Sequence, residues 1–202
     1  MKTINYGIFA EDEANKIFIK TAVPQLVSHF GYDGKIAFNL PSDFTSMATA
    51  KSGDYVFENF IMFISNGIKY FQLDLCLVGL DADDNDHSVK YSNMHKELVA
   101  SNLNDRGLIF IPVQAIEYWL WYLKAKNENP QLAKTPAIES NSRQELKKWI
   151  YNRKKPTNKK SNPMVASLSQ NIDFAWLNAH SASFKHFYDL FHNYLSSNFA
   201  NP

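Results

Sequence analysis

The sequence predicts an α/β protein with a mainly parallel β-sheet flanked by helices, followed by a helical C-terminal extension. Short apolar runs alternate with longer amphipathic segments over residues 1–126, and acidic side chains directly follow several of these runs. Alternating strands and helices form βαβ units, in which neighbouring strands are parallel. Hydrophobic residues make up 45% of the 202 residues, which is enough for a sizeable core.

Four short apolar runs are the predicted strands. The third of them contains Cys76, the single cysteine of the chain, which we interpret as a small core residue. One cysteine allows neither an internal disulfide nor a cysteine-based zinc site. The predicted strands cover residues 3–10, 35–40, 71–78 and 107–113.

Helical spacing of apolar residues predicts helices between and after these strands. The first helix opens at the acidic residues 11–13, and Pro24 is expected to kink or split it. Residues 1–126 are the predicted core domain, and residues 127–202 are a basic, mainly helical extension packed on it. The remaining helices are predicted over residues 55–64, 89–103, 115–126, 142–151, 163–170 and 183–196.

Acidic residues follow three of the predicted strands. Glu11 comes after the first strand, Asp81 and Asp83 come after the third, and Glu117 lies just past the fourth. Parallel strands place their carboxyl ends at one edge of a sheet, where ligands bind. Crowded carboxylates raise one another's pKa unless a cation neutralises them, so a divalent-metal site is one interpretation. The other interpretation is structural: the acids after the third strand form a solvated turn, and those after the first strand begin a helix whose dipole they suit.

Charge is unevenly distributed although the net charge is only +1. Residues 143–160 hold eight lysines and arginines against one acid, Glu145. An acidic site beside a basic tract suits a metal-dependent enzyme that acts on a polyanion. A solvated helix face followed by a basic loop explains the same pattern.

Other mechanisms and locations lack sequence support. The chain has no nucleophile-elbow, phosphate-loop or dinucleotide-binding motif, and its histidines have no ligand-like spacing. The first residues do not read as a signal peptide, and no apolar stretch is long enough for a membrane span. We therefore expect a cytoplasmic protein without membrane association.

Four short segments occur in the order residues 10–14 (AEDEA), 81–83 (DAD), 116–120 (IEYWL) and 181–187 (SASFKHF). Together they resemble the Toprim fold shared by topoisomerases, primases and OLD-type nucleases. The closer resemblance is to small stand-alone Toprim-like proteins of prokaryotic defence loci. A glycine usually follows the first glutamate in such proteins, and Asp12 stands there here, so both Glu11 and Glu13 remain candidates for the site.

This resemblance implies a Mg²⁺-dependent (or Mn²⁺-dependent) nuclease, an antiphage or toxin-like effector that cleaves phosphodiester bonds in DNA or RNA. Asp81 and Asp83 would hold the metal, with Glu11 as a further ligand or general base. Glu117 would complete the metal shell or orient a basic side chain, and Lys155 would contribute positive charge in the site. An ATPase encoded nearby is the implied protein partner.

Two alternatives remain open from the sequence. The first is a catalytically silent Toprim-like module that binds nucleic acid or regulates the partner ATPase. The second is a glycosyltransferase, because such enzymes also place Asp-x-Asp after a strand to hold a metal and a sugar nucleotide. That fold usually needs a longer chain than 202 residues.

Overall fold

The structure, a computed structural model, describes residues 1–42, 50, 52–83, 86–131, 142–153 and 157–199. Within these ranges the chain forms a four-stranded parallel sheet of order β2-β1-β3-β4 with helices on both faces. The predicted α/β class with a helical C-terminal region is thereby confirmed, and it is consistent with a Toprim-like fold. The elements are β1 (Lys2–Ala10), α1 (Glu13–His29), β2 (Ile36–Asn39), α2 (Gly53–Phe71), β3 (Leu75–Gly79), α3 (Ser88–Ala100), β4 (Gly107–Phe110), α4 (Ile116–Glu128), α5 (Arg143–Tyr151), α6 (Asn158–Leu168), α7 (Phe174–His180) and α8 (Ala182–Asn198).

The register of the sheet aligns the carboxyl ends of three strands. Ala10 of β1 lies beside Gly79 of β3, and Gly79 lies beside Phe110 of β4. The residues that follow these positions therefore leave the sheet at the same edge. This alignment is the main reason why acidic residues far apart in the sequence can meet.

Both faces of the sheet are buried, which explains why its strands are nearly continuous apolar runs. Successive side chains of a strand point to opposite faces, so Leu77 packs in the larger core cluster and Val78 in the smaller one. The larger cluster contains residues of α1, α4 and the C-terminal helices, whereas the smaller one contains residues of α2 and α3. The C-terminal extension thus shares a core with β1 and α1.

Several predicted boundaries were wrong. Phe71 ends α2 rather than beginning the third strand, because Gln72 adopts a left-handed conformation (φ 54°) that caps the helix. The strand then begins at Leu75. Pro24 lies inside α1 without ending it, and the short helix α7, which begins after its N-cap Asp173, was not predicted.

We expect Gly79→Ala to lower the free energy of unfolding by about 3 kcal/mol, the upper part of the usual range for overpacking. A Cβ at Gly79 would lie 1.9 Å from Cζ of Phe110, whose side chain is fully buried in the core. Urea unfolding followed by tryptophan fluorescence measures the loss. Phe110→Leu in the same chain should restore part of it, whereas a stable Gly79→Ala protein would contradict the packing described here.

Candidate functional site

The ends of β1 and β3 bring Glu11 and Asp81 into direct contact. The Glu11 backbone N–H donates to the Gly79 carbonyl oxygen (2.9 Å), which extends the strand pairing by one residue. The Asp81 backbone N–H in turn donates to Oε2 of Glu11 (3.0 Å). Both residues therefore lie at the carboxyl edge of the sheet, as predicted from their positions after the strands.

Asp81 is the buried centre of the acidic cluster, with 0% of its surface exposed. Its Oδ1 accepts hydrogen bonds from Asn15 Nδ2 (3.3 Å) and from the backbone N–H of Ile116 (3.2 Å). Ile116 is the first residue of α4, whose N-terminal N–H groups and dipole favour a negative charge at this point. Two helices, α1 and α4, thus hold the Asp81 carboxylate in one orientation.

Helix α5 provides the positive charges that face this cluster. Nη2 of Arg143 forms an ion pair with Oδ2 of Asp81, and its Nη1 lies 2.7 Å from Oδ1 of Asp83. One turn later, Lys147 Nζ lies 3.3 Å from Oε1 of Glu117. Arg143 and Lys147 are four residues apart and therefore lie on the same face of the helix.

Tyr151 continues this stripe by one more turn. Its hydroxyl donates to Oε1 of Glu117 (3.4 Å), and Glu117 itself is almost completely buried on α4. Burial, together with the negative charge of Glu117, raises the pKa of the Tyr151 hydroxyl, so it stays a hydrogen-bond donor at neutral pH. Arg143, Lys147 and Tyr151 together are called the α5 stripe below.

Burial also raises the pKa values of two acids of the cluster, Asp81 and Glu11. It raises the pKa of the Asp81 carboxyl well above its usual value, an effect that Arg143 opposes and that nearby Asp12, Glu11 and Glu117 reinforce. Burial likewise raises the pKa of Glu11, whereas the N–H of Asp81 lowers it. Several carboxylates therefore lie close together, and the positive charges of Arg143 and Lys147 oppose their mutual repulsion.

Two buried oxygens of this region accept no hydrogen bond within the described part of the chain: Oε2 of Glu117 and Oδ1 of Asn15. Carboxylate and amide oxygens are the ligand types that Mg²⁺ and Mn²⁺ prefer, so the donor set fits such an ion. Among the residues that the structure describes, however, no three His, Cys, Asp or Glu side chains are gathered closely enough to hold one. The guanidinium of Arg143 binds the carboxylates of Asp81 and Asp83 in this arrangement.

The predicted site residues have different positions. Glu11, Asp81 and Glu117 converge, whereas Asp83 is 53% exposed, has a positive φ of 56°, and joins the cluster through Arg143. Glu13, the other candidate at the first strand end, is exposed in the first turn of α1. Lys155, proposed to contribute charge, lies outside the described residues, as do positions 84–85 of the acidic loop.

Three groups of this site were not predicted from the sequence. The first is Asn15, whose only sequence signal is its place one turn after Glu11. The second is Lys90 of α3, whose Nζ donates to the Asp81 carbonyl oxygen (2.9 Å). The third is the α5 stripe, which does have a sequence signal, because Arg143, Lys147 and Tyr151 are spaced four residues apart. That spacing was interpreted as part of a basic tract and not as a face directed at the carboxylates.

Two of the segments that carry the family resemblance contact each other. Trp119 Nε1 and the Val113 backbone N–H both donate to Oγ of Ser183 (2.9 and 3.2 Å). Ser181 begins α8 as its N-cap, accepting from the Phe184 backbone N–H (3.3 Å). These serines fix α8 against the start of α4, so their role in the structure is to support the helix that carries Glu117.

Comparisons with known proteins do not assign this chain to a family. No protein-family model, no curated protein and no solved structure matches this chain. None of the helices within the described ranges is long and apolar enough to cross a membrane.

Proposed function

We propose that this protein is a Mg²⁺-dependent (or Mn²⁺-dependent) nuclease that hydrolyses phosphodiester bonds. The observation that carries the proposal is the fully buried Asp81 carboxylate, in contact with Glu11 at the carboxyl edge of a parallel sheet. The buried Oε2 of Glu117, which has no hydrogen-bond partner among the described residues, supports it, because a bound cation would satisfy that atom. The Toprim-like order of the motifs points to the same chemistry.

The side chains of this chain have separate roles in the proposal. Asp81 and Asp83, with Glu11, would hold the ion, which when bound activates water and stabilises the leaving oxygen of a phosphodiester. Glu11 is also a candidate general base, because burial raises the pKa of its carboxyl and a carboxylate with a raised pKa is a stronger base. Arg143 and Lys147 would oppose the negative charge of the transition state.

The Toprim-like resemblance also suggests a location, a substrate and a partner for this activity. It suggests a cytoplasmic antiphage or toxin-like effector with DNA or RNA as its substrate and an ATPase as its protein partner. The basic residues near the site support a polyanionic substrate. Lys159 and Lys160 at the start of α6 are exposed and available to a phosphate backbone.

A cleavage assay across polymers and metals tests this proposal. Purified protein is incubated with plasmid, linear duplex, single-stranded DNA and tRNA in Mg²⁺ or Mn²⁺, with matched reactions in EDTA. We expect at least one polymer to be cut with metal, no cutting in EDTA, and recovery when excess Mg²⁺ is added. Cutting that persists in EDTA, or no cutting under any condition, would reject the nuclease.

A second candidate is supported by the ion pairs of Arg143. Because its guanidinium neutralises both Asp81 and Asp83, the chain is able to fold around this site without a metal. A catalytically silent module that binds nucleic acid or regulates an ATPase would have this property. Retarded migration of intact polymers in Mg²⁺ gels, with a strong salt dependence and no products, favours this alternative.

A further inference from the structure

Arg143 forms ion pairs with two carboxylates, but not all of its N–H groups have hydrogen-bond partners among the described residues. Its two terminal nitrogens bind Asp81 and Asp83, whereas Nε is buried and has no hydrogen-bond partner in the described part of the chain. A guanidinium has five N–H donors, and a buried donor without a partner is unfavourable. Its position is therefore set by the charge of the two carboxylates.

The place of Arg143 in α5 leads to the same conclusion. It is the first residue of the helix, where the helix dipole disfavours a positive charge. Its side chain is 35% exposed, so Arg143 is only partly buried. Asp81, in contrast, is completely buried and needs a cation nearby whenever it is ionised.

We propose that Arg143 and the divalent cation exchange at Asp81 and Asp83. Arg143 neutralises the two carboxylates in the metal-free protein; when the ion takes those oxygens, the displaced guanidinium binds a phosphate of the nucleic acid. A guanidinium matches phosphate oxygens with two parallel hydrogen bonds, as it matches carboxylates. This inference rests on the proposed function and adds a regulatory step to the same site.

Two binding measurements on Arg143→Gln test the exchange without using catalytic activity. Electron paramagnetic resonance of unbound Mn²⁺ gives the Mn²⁺ affinity of the full chain. Fluorescence anisotropy of a labelled oligonucleotide, with Ca²⁺ in place of Mg²⁺, gives the nucleic-acid affinity. We expect Mn²⁺ to bind about tenfold more tightly and the oligonucleotide about tenfold more weakly than in the unmodified protein. General damage to the site would weaken both.

Arg106→Gln is the matched control, because Arg106 is exposed just before β4, at the opposite edge of the sheet from Asp81, and the substitution removes the same charge. It should leave both affinities unchanged. Unchanged Mn²⁺ affinity in Arg143→Gln rejects the exchange, and unchanged oligonucleotide affinity rejects the transfer of the guanidinium to phosphate. If neither the unmodified protein nor Arg143→Gln binds Mn²⁺, the proposed metal-dependent function fails together with the exchange.

Arg143→Lys keeps the inference testable if Arg143→Gln does not fold. Lysine retains the positive charge but cannot form the fork that joins Asp81 and Asp83. Tighter Mn²⁺ binding than in the unmodified protein supports the exchange. Equal or weaker Mn²⁺ binding overturns it.

Discussion

Asp81→Asn should lower metal-dependent cleavage at least about 100-fold, the scale on which loss of a charged group in a catalytic site acts. Asparagine has nearly the same size as aspartate, and its amide oxygen is able to accept the bonds that Asn15 and Ile116 donate to Oδ1. The fold should therefore survive, while the negative charge proposed to hold the cation is lost. Initial cleavage rates, with circular dichroism as a check of folding, measure the effect.

Asp105→Asn is the matched control for this prediction. Asp105 is an exposed carboxylate just before β4, at the opposite edge of the sheet from Asp81. Its loss changes the net charge by the same amount and should leave the cleavage rate within about twofold, as expected for a surface substitution away from the site. An equal loss of rate in both variants would show that the change in charge, and not the position of Asp81, causes the effect.

The convergence of Glu11, Asp81 and Glu117 was predictable because it follows from topology. Each residue comes shortly after a strand, and parallel strands end at one edge regardless of how far apart they are in the sequence. Glu11 and Asp81 are 70 residues apart, yet pairing of Ala10 with Gly79 leaves them in contact. The strand patterns alone were thus enough to predict that these three acids meet.

The role of Arg143 was not predictable in the same way. It lies on α5, 62 residues after Asp81, and no strand register fixes the path that brings this helix to the sheet edge. Packing of Leu146 and Ile150 in the larger core cluster turns the α5 stripe toward the carboxylates. Two basic residues four positions apart are usually part of a solvated helix face, so the local pattern gave no sign that Arg143 contacts Asp81.

The boundary error before β3 has a similar cause. Asp74 was expected inside a strand, but its side chain accepts from the Asn5 backbone N–H (2.9 Å) while its own N–H donates to the Asn5 carbonyl oxygen (2.7 Å). A polar side chain thus replaces part of the strand ladder just before Leu75. Such a substitution depends on the neighbouring strand β1 and is invisible in the apolar run itself.

Arg143→Gln should lower the free energy of unfolding in EDTA by about 2 kcal/mol at pH 8. Removing one partner of a buried ion pair costs about 3–5 kcal/mol. We expect less because the Arg143 side chain is 35% exposed and partly solvated. Asp81, whose surface is fully buried, is left without its main cation. Urea unfolding of the variant and of the unmodified protein measures the difference.

The loss should depend on pH in a defined direction. Burial raises the pKa of Asp81 in the folded protein, and removing Arg143 takes away the main influence that lowers it. A carboxyl whose folded pKa lies above its unfolded value, about 3.9 for Asp, stabilises the fold most at low pH. That contribution is lost as the pH rises through the folded pKa. The deficit of Arg143→Gln should therefore be smaller at pH 5 than at pH 8.

A second substitution separates the buried charge from other effects of losing Arg143. In Asp81→Asn the carboxylate is absent, so adding Arg143→Gln should cost much less than it does in the unmodified protein. The coupling free energy from the four proteins should be about 2 kcal/mol and should shrink when the measurements are repeated at pH 5. Equal costs of Arg143→Gln in both backgrounds would mean that Arg143 stabilises the fold through contacts other than Asp81. In that case the site would need another source of positive charge to keep Asp81 buried.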